Sequence, residues 1–221
     1  MSISERLYIR WFPDEASETT STLVLTAHNR QFVDLRLLKP ADPSAPFASL
    51  EWGLAGRSVG TPSHGIWIHD IDSRTENPGD EKDEGDMFPQ PEHPDVILER
   101  GRMRHPESGE VREYEEAWKD PTVLSIGGGR VSVVLETASG ASGARGLVVR
   151  VGQFCQGILR VGSVIVVERW AWLEGGGWKL SAQVGDGGHL PCDVTWDGGL
   201  AVGDECSRNG VSWIAKEVRN W

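Results

Sequence analysis

Val164-Ile165-Val166-Val167-Glu168-Arg169-Trp170-Ala171-Trp172-Leu173 is a run of β-branched and aromatic side chains interrupted by one pair of charges. Its composition is that of a strand. Alternation puts Val164, Val166, Glu168, Trp170 and Trp172 on one face and Ile165, Val167, Arg169, Ala171 and Leu173 on the other. Each face carries one charge among apolar groups. Whichever face turns inward must give its charge a partner, because a lone buried charge costs several kcal/mol or shifts its pKa.

Residues 146–159 read as a neighbouring strand, with Val149, Val151, Gln153 and Cys155 on one side and Val148, Arg150, Gly152 and Phe154 on the other. Similar short runs recur at 7–12, 22–26, 31–38, 122–126, 130–136, 177–184 and 211–218, and no segment shows a clear helical period. Glycine runs at 127–129, 175–177, 187–188 and 198–199 fall between them, where tight hairpins need positive φ. The chain is therefore expected to be all-β. Trp11-Phe12-Pro13-Asp14 and Trp118-Lys119-Asp120-Pro121 each lead into an apparent hairpin, a weak echo that suggests two related units. Two small antiparallel barrels, residues 1–110 and 111–221, would remove exposed strand edges.

The 221 residues include 33 acidic and 22 basic side chains, a formal charge of −11. Residues 70–118 hold sixteen of the acidic and only six of the basic ones, so the rest is nearly neutral. The acidic stretch at about 73–95 reads as a solvated loop between the units, with residues 75–86 the alternative docking segment for a basic partner. No apolar run approaches the roughly 18–20 residues of a membrane span, and the N-terminus lacks a signal-peptide layout, which points to the cytoplasm, with the nucleus also open. Clustered Lys and Arg for phosphate binding are missing, which disfavours nucleic acid. Three cysteines without CxxC spacing, Cys155, Cys192 and Cys206, fit reduced thiols.

Catalytic signatures such as GxSxG, HExxH and the phosphate loop are missing, and no cofactor is expected. His64 and His69, five residues apart on a strand, point to opposite faces and exclude a shared metal. His69 beside Asp70 is a candidate general base. Glu168 is the other candidate catalytic group, since a carboxylate between Trp170 and Trp172 makes a pocket with flat apolar walls and one proton donor or acceptor. Arg150, Gln153 and Trp178 complete the expected ligand-binding set. The plainer expectation is an ordinary sheet in which Glu168 pairs with Arg150 or Arg169 at the rim.

Residues 146–159 resemble the Gly-Leu-Val-Ile-Val-Ile-Gly-x-Trp-Ile-Gln-Gly-Phe-Leu segment of the fungal casein-kinase-interacting protein family. Leu50-Glu51-Trp52-Gly53-Leu54-Ala55-Gly56, Glu116-Ala117-Trp118-Lys119-Asp120-Pro121 and Ser207-Arg208-Asn209-Gly210-Val211-Ser212-Trp213 agree in the same order. The resemblance implies two lipocalin-like, calycin-type barrels in tandem, an intracellular place in a fungus, and no established enzymatic reaction. Phe154-Cys155 stands where the family has Trp-Ile, and Trp170-Ala171-Trp172 is more aromatic than its counterpart. Such changes suit a barrel adapted to a flat or polycyclic ligand.

Three functions are therefore expected to compete. The first is an intracellular protein that binds a small hydrophobic molecule of polyketide or terpenoid type. The second is a cofactor-free cyclase or isomerase of fungal secondary metabolism using the same pocket. The third is an interaction module whose partner is a protein such as a kinase.

Overall fold

The computed structural model describes residues 1–42, 47–80, 82–138, 143–196 and 198–221. Eight antiparallel strands follow one another: β1 (Ser2–Trp11), β2 (Thr20–Thr26), β3 (Gln31–Leu38), β4 (Leu50–Thr61), β5 (His64–Asp72), β6 (Asp83–Pro89), β7 (Val96–Arg104) and β8 (Val111–Lys119). They close into a barrel when β8 pairs with β1. Seven further strands are β9 (Val131–Thr137), β10 (Arg145–Val151), β11 (Phe154–Val161), β12 (Val164–Leu173), β13 (Gly177–Val184), β14 (Glu205–Arg208) and β15 (Val211–Asn220). Their sheet order is β13-β12-β11-β10-β9-β15-β14, an open half-barrel. Helical structure among the described residues is two short 3-10 turns, Pro78–Asp80 and Cys192–Thr195. The all-β expectation of two barrels in tandem holds, with the first closed and the second a curled half-barrel.

Three details differ from the sequence reading. β8 belongs to the first barrel, whose sheet therefore runs through Lys119 rather than ending near residue 110. Residues 146–159 are two strands: the chain turns at Gly152, whose φ of +51° is left-handed, and β11 folds back on β10. Residues 122–126 form no strand, because the Gln153 side chain accepts from Leu124 N at 2.9 Å and donates to Thr122 O at 2.9 Å, substituting for a ladder.

The acidic stretch is the largest departure. It is not a connector: it contains β6, and the acid-rich region continues through β7 and β8 to complete the barrel wall. Asp72, Glu99 and Glu116 are buried. Alternation turns these acids toward the lumen while their neighbours face outward.

The two sheets share a core because β3 is buried on both faces. Val33, Leu35 and Leu37 look outward and, with Leu23 and Leu25 of β2, pack against Val149, Ile158 and Val167 of the second sheet. A second apolar cluster lies on that sheet's far face, where Leu190 and Cys192 cover Val148, Leu159 and Trp213. Arg169 is the charge that β12 turns toward the barrel. Its guanidinium donates to Gln156 Oε1 at 2.6 Å, Ser21 Oγ at 2.9 Å, and the carbonyls of Ser21 and Leu35 at 3.1 and 2.6 Å. Gln156 Nε2 in turn donates to the carbonyls of Leu23 and Val33. Burial lowers the Arg169 pKa to about 10, which leaves it charged at neutral pH. A buried cation making four hydrogen bonds thus fastens β11 and β12 to β2 and β3.

Candidate ligand site in the first barrel

The inward positions of β1 to β8 enclose a cavity of about 420 Å³. That volume is within the usual range for a small-molecule site. Exposed Arg30, Gly60, Thr61 and Pro62 stand at one end, and buried Asp34, Arg36, Glu99, Tyr114 and Glu116 at the other. Phe32, Trp52, Trp67 and Trp118 provide flat walls between them, with Leu54, Met87 and Ile97. The cavity is an aromatic shaft over a charged floor.

The floor is a connected network. Arg6 bridges Glu18 at 2.7 Å and Glu116 at 2.5 Å, and Arg36 bridges Asp34 at 3.1 Å and Glu116 at 3.3 Å. Burial opposes the Arg36 charge, but Asp34 and Glu116 outweigh it and raise its pKa. Burial also pushes the Asp34 carboxyl above its ordinary value, even with Arg36 and Arg6 beside it. Next to Glu116, on β7 and β8, Tyr114 Oη donates to Glu99 Oε1 at 2.7 Å. Burial, followed by the nearby charges of Glu116 and Asp83, pushes Glu99 up to about 8. At neutral pH it is mostly a neutral acid.

Close approach at this wall requires glycine at two places. A Cβ on Gly85 would stand 2.7 Å from Glu99 Cγ, and one on Gly101 would stand 2.8 Å from the Tyr114 ring and 2.7 Å from the carbonyl of Glu84. Two polar atoms of the lining, Asp34 Oδ1 and Trp118 Nε1, are buried with no hydrogen-bond partner in the protein. Such groups are uncommon in folded proteins.

Of the residues singled out from sequence, His69 is buried beside this cavity without lining it. Its Nε2 is 2.9 Å from Asp83 Oδ2, its ring meets Phe32 edge-on at 6.3 Å, and Nδ1 is one of the unpartnered buried atoms. His64 points the other way and bonds Asp86 at 2.8 Å. Among the described residues no group of three or more His, Cys, Asp or Glu is arranged to hold a metal.

The other sequence candidates gather on the far side of the second sheet. Trp178 stacks on Trp196 at 5.5 Å, Trp170 meets Trp196 edge-on at 5.0 Å, and Trp172 meets Trp178 at 5.9 Å. Glu168 accepts from Trp170 Nε1 at 2.8 Å rather than pairing with Arg150 or Arg169. Arg150 lies 4.9 Å over the Trp178 ring and donates to the carbonyl of Thr195. Gln153 sits in the β10–β11 turn and braces residues 122–124. Trp196 and the 3-10 turn before it fill the space against this face. None of these side chains lines the barrel cavity, nor the hollow of about 900 Å³ where Arg57 and Asp70 meet Glu136 and Arg145 between the sheets.

Sequence reading missed Asp34, Arg36, Glu99, Tyr114 and Glu116. A signal existed in β3, where Phe32, Asp34 and Arg36 share one face of a strand whose other face is Val33, Leu35 and Leu37. Opposite charges two residues apart on a strand with an apolar reverse face suit a polar barrel interior.

A model of the family described as Protein HRI1 matches residues 2–217. The chain belongs to the HRI1 family. The crystal structure of the uncharacterized protein YLR301w from Saccharomyces cerevisiae is similar over 99% of this chain and 98% of that one, with a TM-score of 0.73 and 18% identity. At that identity the likeness establishes the shared fold alone. No curated protein sequence matches this HRI1-family chain. No helix of the structure is long and apolar enough to cross a membrane.

Proposed function

We propose that this HRI1-family protein binds a small amphipathic molecule in the β1–β8 barrel, with its polar end on the charged floor and its apolar body among Phe32, Trp67 and Trp118. The site thus moves from the tryptophan face of β12 to the first barrel. The observation that carries this reading is a cavity of about 420 Å³ walled by Phe32, Trp52, Trp67 and Trp118 over a floor of Asp34, Arg36 and Glu116. N-phenyl-1-naphthylamine, neutral at pH 7 and fluorescent in apolar surroundings, tests it. Saturable 1:1 enhancement is expected, lost when Val24→Trp fills the lumen and kept in Trp178→Leu. Enhancement that disappears in Trp178→Leu and persists in Val24→Trp contradicts the reading.

Glu99 favours a second reading, a cofactor-free isomerase or cyclase. A mostly protonated carboxyl hydrogen-bonded to Tyr114 is suited to proton donation near neutral pH. Glu99, rather than Glu168 or His69, then becomes the proposed proton donor. Glu99→Gln should remove turnover of a bound polyene or polyketide while preserving its affinity; undiminished turnover would contradict that role.

A further inference from the structure

The floor of the first barrel holds an ion pair with one leg unmade, and this step rests on the binding reading above. Glu116 Oε1 takes both cations, from Arg6 Nη1 at 2.5 Å and from Arg36 Nη1 at 3.3 Å. An arginine in contact with a carboxylate often makes two parallel bonds, one to each oxygen. Here, among the described residues, Glu116 Oε2 accepts no hydrogen bond, and Arg36, whose Nε is spent on Asp34 at 3.1 Å, donates none from Nη2. The Trp52 ring backs the guanidinium at 4.8 Å and holds its plane. Arg36 and Glu116 are 7% and 1% exposed and line the cavity, and Nη2 and Oε2 are not sealed from it as Asp34 Oδ1 is.

The chemistry left open is one donor beside one acceptor. A guanidinium N–H only donates, and an ionised carboxylate oxygen only accepts. The complementary head therefore carries an acceptor and a donor side by side. Charge points to an uncharged one. Arg6, Arg36 and the Arg169 guanidinium beside Asp34 stand against Glu18, Asp34 and Glu116. Arg74 lies by Asp72, and Arg30 and Asp120, one of each sign, are exposed at the rim. Neither sign is left over beside the open leg, so a charged head would leave water without gaining a counter-ion of its own. Glu99 and Asp83, which line the same cavity, each keep one oxygen without a hydrogen bond and add to the acceptors there.

We infer that the first barrel selects an uncharged primary amide or lactam on an apolar body, its C=O accepting from Arg36 Nη2 and its N–H donating to Glu116 Oε2. In both groups an N–H lies on the same side as the C=O, as the open fork requires. No covalent step is involved. Recognition consists of two hydrogen bonds to ionised side chains, with the apolar body against Phe32, Trp67 and Trp118.

Displacement of N-phenyl-1-naphthylamine from the full-length protein at pH 7 by octanamide, 2-nonanone, octanoate and octylamine tests the inference. The first three share a heptyl carbonyl and differ in carrying NH2, CH3 or O−; octylamine supplies a cation on the same length of chain. Octanamide is expected to bind at least about tenfold more tightly than 2-nonanone, the worth of one hydrogen bond to a charged group, and more tightly than either ion. Glu116→Gln, which can present a donor where Oε2 accepts, should erase the advantage of the amide over the ketone, its fold checked by urea unfolding; if that variant does not fold, the wild-type ranking decides alone. An amide no tighter than the ketone, tighter binding of octanoate or octylamine, displacement by none of the four, or an amide advantage that survives in folded Glu116→Gln overturns the amide assignment and leaves the cavity reading standing. Failure of N-phenyl-1-naphthylamine itself and of all four compounds to bind overturns both.

Discussion

The Tyr114 hydroxyl donates a 2.7 Å hydrogen bond to Glu99 Oε1 inside the first barrel, and both residues are almost completely buried. The pair joins the adjacent strands β7 and β8 on the barrel's inner wall. It also explains why Gly85 and Gly101 face them, since any larger residue would occupy the space these two side chains fill. Burial keeps the Tyr114 phenol protonated, with Glu99 and Glu116 adding to the effect.

Stability should fall as pH rises because of Glu99. An unfolded Glu loses its proton near 4.5, whereas Glu99 in the fold keeps it to about 8. Between those values the native state binds more protons than the unfolded state, so stability contributed by this group is present below about pH 4.5 and is lost toward pH 8. The slope is at most about 1.4 kcal/mol per pH unit. Glu99→Gln removes this dependence, so the variant should gain on the wild type steadily between pH 5 and pH 8. Urea unfolding of both proteins at several pH values measures the difference, and parallel curves would contradict the assignment.

Tyr114→Phe removes the donor that stabilises the ionised form of Glu99. The Glu99 pKa should therefore move further up, and the fold should lose about 1–3 kcal/mol. Carboxyl carbon NMR of labelled Glu99 reports the titration. A downward shift would mean that the phenol is not acting as donor to the carboxylate.

Arg169 and Gln156 make an asymmetric prediction. Gln156→Leu leaves Arg169 buried with one acceptor fewer and removes the donor to Leu23 and Val33, a loss of about 2–4 kcal/mol. Arg169→Met also removes the cost of burying the cation, so it should be the milder change. Denaturant midpoints compare them directly, and the reverse order would contradict the account of Arg169 as a cation held by neutral acceptors.

Alternation made β2, β3, β12 and β13 legible in the sequence, because each sets a β-branched or aromatic pattern against glycine or polar turns. β6 to β8 were hidden. Their inward positions carry Asp83, Glu99 and Glu116, and acids in an amphipathic pattern resemble a solvated segment when nothing shows that Arg6 and Arg36 await them from β1 and β3. The tryptophans of β12 drew attention for the opposite reason: their composition suits a pocket, but Trp196, some two dozen residues on, packs against Trp170 and Trp178. Local pattern identifies a strand's faces, whereas long-range pairing decides which face encloses space.

Fluorine NMR of the protein labelled with 5-fluorotryptophan, assigned by single substitutions and titrated with N-phenyl-1-naphthylamine, tests the placement of the site most directly. Trp67 and Trp118 line the first-barrel cavity, while Trp172 and Trp178 lie on the second sheet. Binding in the first barrel predicts saturable shifts of the Trp67 and Trp118 resonances with those of Trp172 and Trp178 unmoved. Shifts confined to Trp172 and Trp178, or no saturable shift at any tryptophan, would contradict it.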